Sequence, residues 1–178
     1  SYSLWFIVQD YQYNSSGNYK HIFHKGDKTG KVTFCPKMVL LNGNNTLRIT
    51  MNLIDNSNSP NIDINNIPIN KWIHVSLVVK QKKVEVFING FLKKVVQLIA
   101  IPRQNFNDLW INLNGGFEGF ISKFQYHRRA LGFSEIEETV KAGPANSSCD
   151  ISGVKPPYLD SSWWIDRDID IGVDIDES

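Results

Sequence analysis

The chain has 178 residues, of which 42% are hydrophobic and 21% charged, and its formal net charge is +1. These values are typical of one globular domain with a hydrophobic core. The small net charge excludes a global field for nucleic acid, and no apolar run has the length of a membrane-spanning helix. We therefore expect no nucleic-acid partner and no membrane contact by this segment. Because the chain starts directly in an apolar run, we expect it to be part of a longer product, whose upstream region could hold a membrane anchor.

Short apolar segments separated by turn residues continue through most of the chain. In the first 69 residues, the alternation predicts strands at 3–8, 21–25, 32–41, 47–53 and 62–69. Pro36 restricts the third of these to a sheet edge or a strand start, because proline donates no ladder hydrogen bond. Further strands are predicted at 109–113 and 119–127.

Residues 72–96 show the clearest strand pattern. Ile73, Val75 and Leu77 share one parity, which places them on one face of a strand. Asn89-Gly90 predicts a tight hairpin turn, because a type I′ turn needs positive φ at both central residues. The stretch is therefore predicted to form three antiparallel strands. His74 lies on the opposite parity and is expected on a half-exposed face. The tryptophans of the apolar runs are predicted to lie in the core: Trp5, Trp72 and Trp110.

One helix is predicted near the C-terminal end of this region. Ser134 and Glu137 have the spacing of a capping box, and Gly143-Pro144 would end the helix after about two turns. Many strands with one short helix indicate an antiparallel sandwich or barrel. A parallel sheet is disfavoured because no segment supplies crossover helices.

Cysteine and asparagine patterns allow two modifications. Cys35 and Cys149 are too few for a disulfide scaffold and wrongly spaced for zinc, so they either form one long-range bridge or remain buried thiols. Asn14, Asn44 and Asn146 each begin an N-x-S/T triplet, which permits N-glycosylation.

The segment 144–178 differs from the rest and is predicted to be a C-terminal extension or docking arm. Trp163 and Trp164 are adjacent, so on a strand one of them would face outward and could contact a sugar or a partner protein; alternatively, one ring closes an edge of the sandwich. The following residues alternate apolar and acidic side chains, a pattern typical of a solvated acidic face.

The acidic side chains of this tail also allow two sharper hypotheses. Asp166, Asp168 and Asp170, with Asp174 and Glu177, have the spacing of a calcium-binding loop, but Ile171 stands where its turn requires glycine. Alternating carboxylates could also supply the acid and nucleophile of a glycosidase, which lie about 5–5.5 Å apart in retaining enzymes. No metal or other cofactor is otherwise expected, although calcium is compatible with this pattern. The small basic clusters at 80–83, 93–94 and 128–129 are predicted to be solvated turns.

An ordered set of motifs resembles the laminin-G-like, concanavalin A-like sandwich domains. The set consists of Ser3–Phe6, Trp72–Val75, Val86–Gly90, Gly119–Phe124 and Arg129–Leu131 followed by Ser134–Ile136. The resemblance covers residues 1–143, and it implies an all-β, two-sheet jelly roll with one short C-terminal helix.

The resemblance implies a binding or structural module without catalysis. The asparagine, isoleucine and lysine bias and the Trp-Trp tail are similar to laminin-G-like proteins of large DNA viruses, which implies a structural or attachment component located on the virion or outside the cell. Its partners would be other virion or surface proteins. A glycan-binding, lectin-like domain, with or without calcium, is the alternative, and a glycoside hydrolase is a third hypothesis.

Overall fold

The computed structural model describes residues 1–11, 19–55 and 59–145. These residues form one compact unit, which runs from Ser1 to Ala145. Its elements are the strands β1 (Tyr2–Asp10), β2 (Tyr19–Gly26), β3 (Phe34–Leu41), β4 (Leu47–Thr50), β5 (Asn61–Ile64), β6 (Ile73–Lys80), β7 (Lys83–Ile88), β8 (Phe91–Gln97), β9 (Leu109–Ile111) and β10 (Glu118–Tyr126), a 3-10 turn at Leu113–Gly115, and the helix α1 (Phe133–Lys141).

The strands form two antiparallel sheets of five strands each. The first sheet has the order β10-β1-β6-β7-β8, and the second has the order β5-β4-β3-β2-β9. The predicted sandwich is therefore confirmed. The meander predicted at 72–96 is confirmed as β6, β7 and β8.

The core lies between the two sheets and follows the predicted parity. Leu4 and Phe6 of β1 pack in the same buried cluster as Val75 of β6 and Ile49 of β4, and all four side chains are fully buried. A one-residue slip of any of these strands would turn its apolar side chains away from the core. Burial of these side chains therefore fixes the register.

The Asn89-Gly90 turn has the backbone conformation that the sequence predicts. Asn89 has φ 50° and Gly90 has φ 84°. The Asn89 side-chain oxygen also accepts a hydrogen bond from the His74 amide at 2.8 Å, and the Asn89 amide donates to the His74 carbonyl at 2.9 Å. Asparagine thus closes the hairpin and holds the start of β6.

The predictions for the start of the helix and for His74 are wrong. Helix α1 begins at Phe133, one residue before Ser134, and the residue that reaches back is Glu135, whose carboxylate accepts from the Gly132 amide at 2.9 Å. His74 is fully buried rather than half-exposed, against the indole of Trp5 at 5.1 Å between ring centres. The outer face of the first sheet, on which His74 lies, is not simply exposed to solvent, because α1 packs on part of it.

The outer cluster and the tryptophans show this second layer. Ile136 of α1 packs with Leu131, Val78 and Phe87 outside the first sheet. Trp5 is buried, as predicted, but on this outer side, and Trp72 and Trp110 are only half-buried rather than in the core.

Strand ends from both sheets meet at one end of the unit. In the first sheet, Tyr2 at the start of β1 pairs with Leu77 near the end of β6 and with Tyr126 at the end of β10. In the second sheet, Gly26 at the end of β2 pairs with Phe34 at the start of β3. The segment between β8 and β9 joins this end through a bridge between Leu53 and Pro102.

Candidate functional site

An open groove of about 710 Å³ lies at this end of the sandwich. The start of β1, the ends of β6 and β10, the start of β3 and the loop 102–106 surround it. We call it the end groove. Its volume lies within the range of roughly 300–1,000 Å³ that is usual for small-molecule sites.

The base of the end groove is apolar and buried. It includes Met51, Cys35 and the ring of Tyr2, which are all less than 10% exposed. Burial raises the pKa of the Cys35 thiol to about 11 and raises the pKa of the Tyr2 phenol. Both groups are therefore neutral near pH 7, and Cys35 is not an activated nucleophile.

Two exposed aromatic rings stand at the edge of this base. Phe106 is 85% exposed and Tyr126 is 58% exposed. The loop that carries Phe106 is held by hydrogen bonds on both sides of it. The Asn105 side chain donates to the Lys25 carbonyl at 2.8 Å and accepts from the Asn107 amide at 2.9 Å. A fixed loop thus presents an apolar ring beside the buried base, where it is accessible to a bound ligand.

The walls of the end groove carry four cationic side chains. The Lys25 ammonium donates a hydrogen bond to the Asn107 carbonyl. Arg129 forms a two-contact pair with Glu135, with one contact at 2.6 Å. This guanidinium lowers the pKa of Glu135 to about 2. Arg103 and Arg128 make no side-chain hydrogen bond or ion pair with any residue that the structure describes.

The sequence did not identify this groove. Arg128 and Arg129 were predicted to be a solvated turn; they are exposed, but they also line the groove wall. Arg103 and Phe106 lie in a loop that shows no periodicity. The available signal was the topology: once β1, β6 and β10 are known to be neighbours, their ends must meet.

The sequence-predicted site residues are only partly within the described ranges. Asn44 is exposed in the turn between β3 and β4, as a glycosylated asparagine would have to be. Cys35 is buried at the groove base. The remaining candidates lie outside the described residues, and their predicted roles stay predictions: Asn14, Asn146, Cys149, Trp163, Trp164, Asp166, Asp168 and Asp170.

His21 and His24 are neighbours, and their ring nitrogens already have hydrogen-bond partners. The Leu113 amide donates to His21 Nδ1 at 3.1 Å, and His21 Nε2 lies 2.7 Å from His24 Nδ1. His24 Nε2 then lies 2.8 Å from the Asp27 carbonyl. The Leu113 amide requires an acceptor at His21 Nδ1, and the Asp27 carbonyl requires a donor at His24 Nε2. Each ring therefore carries one proton, on Nε2. The pair is a structural hydrogen-bond relay.

In residues 1–11, 19–55 and 59–145, no group of three or more histidine, cysteine, aspartate and glutamate side chains is arranged to hold a metal ion. The same residues contain no helix with the length and apolarity to cross a membrane.

Comparison with known proteins agrees with the fold. The sequence profile of the concanavalin A-like lectin/glucanases superfamily matches residues 1–137. No curated protein matches the chain significantly.

Solved structures with the same fold include three botulinum neurotoxin domains. The type G receptor binding domain is 20% identical, with a TM-score of 0.59 over 79% of this chain and 37% of that one. The serotype D ligand binding domain in complex with N-acetylneuraminic acid is 14% identical, with a TM-score of 0.63 over 80% and 36%. The mosaic C/D receptor binding domain, with tetraethylene glycol on its Hcn sub-domain, is 16% identical, with a TM-score of 0.61 over 80% and 36%.

This chain therefore spans little more than a third of those domains. At these identities the likeness establishes the fold alone. The sequence profile, in contrast, matches more than half of the chain. On this evidence, the chain belongs to the concanavalin A-like lectin/glucanase superfamily.

Proposed function

We propose that this protein is a non-catalytic carbohydrate-binding module whose ligand lies in the end groove. The observation that carries the proposal is the pair of exposed rings, Phe106 and Tyr126, beside an apolar base with polar walls. A saccharide has the matching surface, because its ring faces carry C–H groups and its edges carry hydroxyls. Aromatic side chains bind the former, and a few placed polar groups orient the latter.

The polar partners for the hydroxyls are present in the same wall. Gln104 and Asn105 of the loop line the groove, and Arg103 precedes them. Because Asn105 is already tied to β2 through the Lys25 carbonyl, the loop needs little reordering when a ligand binds. A preorganised site loses less conformational entropy on binding.

Several of the structurally similar proteins are receptor binding domains, and one was solved with N-acetylneuraminic acid. This precedent favours ligand binding over a purely structural role for the present fold. It says nothing about where a ligand lies on this chain, so the location rests on the groove itself.

The superfamily also includes glucanases, but the described residues of the end groove do not supply the carboxyl groups that a glycosidase needs. Glycosidases need two carboxyl groups about 5–5.5 Å apart for retention or about 6.5–9.5 Å apart for inversion. Among the described residues, neither aspartate nor glutamate lines the groove. Binding without turnover is therefore the activity that this groove favours.

The wider role expected from the sequence is attachment. Under the proposal, a glycan-binding module on a virion or cell surface would use the end groove for its glycan and the tail, with Trp163 and Trp164, for partner proteins. The sequence pattern of the tail is the support for that second contact.

The test is a glycan array probed with the full 178-residue chain, in calcium and in a chelator. We expect binding to defined saccharides under both conditions, because no carboxylate of the described residues lines the groove to hold a metal. The double variant Phe106→Ala/Tyr126→Ala should lose most of the signal. Phe91→Ala is the matched control, since Phe91 is 72% exposed but lies on β8, away from the groove. A blank array, or a double variant that binds like the unmodified chain, would contradict the proposal.

A further inference from the structure

We propose that the ligand of the end groove is an anionic saccharide, whose carboxylate or sulfate group is bound by Arg103 and Arg128. This inference rests on the proposed function and specifies the ligand class. The starting observation is the charge inventory of the groove. Four cationic side chains line it, and no acidic side chain of the described residues does.

This concentration of charge is local. The whole chain has 19 basic and 18 acidic residues, so its net charge is only +1. A cleft lined by one sign of charge with low-dielectric walls focuses the field and raises the local concentration of opposite charge. The buried base of Met51 and Cys35 supplies such a wall. The groove should therefore attract anions although the protein as a whole does not.

The four cations differ in what they already bind. Arg129 is held by the Glu135 carboxylate, and the Lys25 ammonium by the Asn107 carbonyl. Arg103 and Arg128 have no such partner within the described part of the chain. Their donors are the ones available to a ligand.

Guanidinium chemistry specifies the ligand group. A planar guanidinium presents parallel N–H donors that match the oxygens of a carboxylate or sulfate, and it stays charged at all physiological pH values. A neutral saccharide would cover these charges without balancing them, which is unfavourable as the groove loses water. Phe106 and Tyr126 would thus bind the sugar ring, while Arg103 and Arg128 select acidic sugars over neutral ones.

Two matched pairs of saccharides test the inference with the full chain. One pair is sialyllactose and lactose; the other is a sulfated chondroitin oligosaccharide and its desulfated form. Calorimetric titration should show at least about tenfold tighter binding of the charged member in one pair or both, which also identifies the acidic group. The preference should fall in 1 M NaCl, where charges are screened beyond about 3 Å.

The variant Arg103→Gln/Arg128→Gln should lose that preference and bind charged and neutral members alike. Its control is Lys71→Gln/Lys93→Gln, which removes the same two charges, from +1 to −1, at exposed positions that do not line the groove. The control should bind like the unmodified chain. If it also loses the preference, global charge rather than the groove is responsible and the inference is overturned.

The outcomes separate this inference from the proposed function. Equal binding of charged and neutral saccharides, abolished by Phe106→Ala/Tyr126→Ala, would overturn the anionic ligand and leave the carbohydrate module intact. No saccharide binding at all would overturn both. Binding to vesicles of phosphatidylserine and phosphatidylcholine, but to no acidic saccharide, would overturn the inference in favour of a membrane surface.

Discussion

Acid should destabilise this domain through its buried histidines, in a pH range above that of its carboxylates. His21 is 4% exposed and His74 is fully buried. The pKa of each is lowered to about 4, by burial in both cases and, for His21, also by the neighbouring His24 and Lys37. In the unfolded chain the pKa is about 6.5. Since the folded value is the lower one, the stabilisation is complete above pH 6.5 and is lost as the pH falls through 4.

The geometry gives the physical reason for His21. Its Nδ1 accepts the Leu113 amide, so a second proton there would place two donors face to face. The additional proton on His21 therefore breaks one hydrogen bond of the relay.

The magnitude follows from the shifts. For each histidine, the difference between a pKa of about 6.5 in the unfolded chain and about 4 in the folded chain corresponds to roughly 3 kcal/mol. Two such residues represent a large fraction of a typical domain stability of about 5–15 kcal/mol. Between pH 6 and 4.5, these two residues should lower the free energy of unfolding by about 1.4 kcal/mol per pH unit each.

Urea unfolding measured at half-unit steps from pH 7 to 4 tests this. Replacement of His21 by glutamine should reduce the pH dependence of the free energy of unfolding by the contribution of one proton, about 1.4 kcal/mol per pH unit. It should also lower the stability at pH 7, because it removes the relay. Replacement of His74 should do the same independently. A variant slope equal to that of the unmodified chain would refute the reasoning, because His21 would then bind protons equally in both states.

Three further substitutions test the fold. Gly119→Ala should destabilise by several kcal/mol, because Gly119 has φ 151° and a β-carbon would lie 1.8 Å from the Ile7 carbonyl oxygen; the measurement is the thermal midpoint. Asn89→Ala should cost about 1–3 kcal/mol, since the buried His74 amide loses its acceptor; urea unfolding gives the value, and no change would contradict it. Ile136→Ala should cost about 2–5 kcal/mol, because this side chain is fully buried between α1 and the first sheet; faster amide exchange in α1 would locate the loss, and unchanged exchange would argue against it.

The sequence predicted the sandwich because its strands have one buried face. Alternation such as that of Leu47, Ile49 and Met51 depends only on local chain geometry, and all three side chains are in fact buried. The Asn89-Gly90 turn was predictable for the same reason, since positive φ is a property of the two residues themselves.

The predictions failed where a third layer of structure, or the meeting of several strand ends, determines the environment of a residue. His74 lies on the parity that faces solvent in a plain sandwich, but it is buried against Trp5 on the outer face that also carries the α1 cluster. The end groove was missed because it combines strand ends with a loop about 80 residues from Lys25 in sequence. Such a site has no local pattern, so it becomes visible only once the topology is known.

The most direct test of the central claim is an amide NMR titration of the full chain with sialyllactose and with the sulfated chondroitin oligosaccharide. We predict that the amides with the largest shifts lie in the loop 102–106 and at 126–130, on both sides of the end groove. They should not shift in the Phe106→Ala/Tyr126→Ala variant. Shifts confined to another surface, such as the outer face of β4 around Arg48 and Thr50, would contradict the account, as would a spectrum that does not respond to either saccharide.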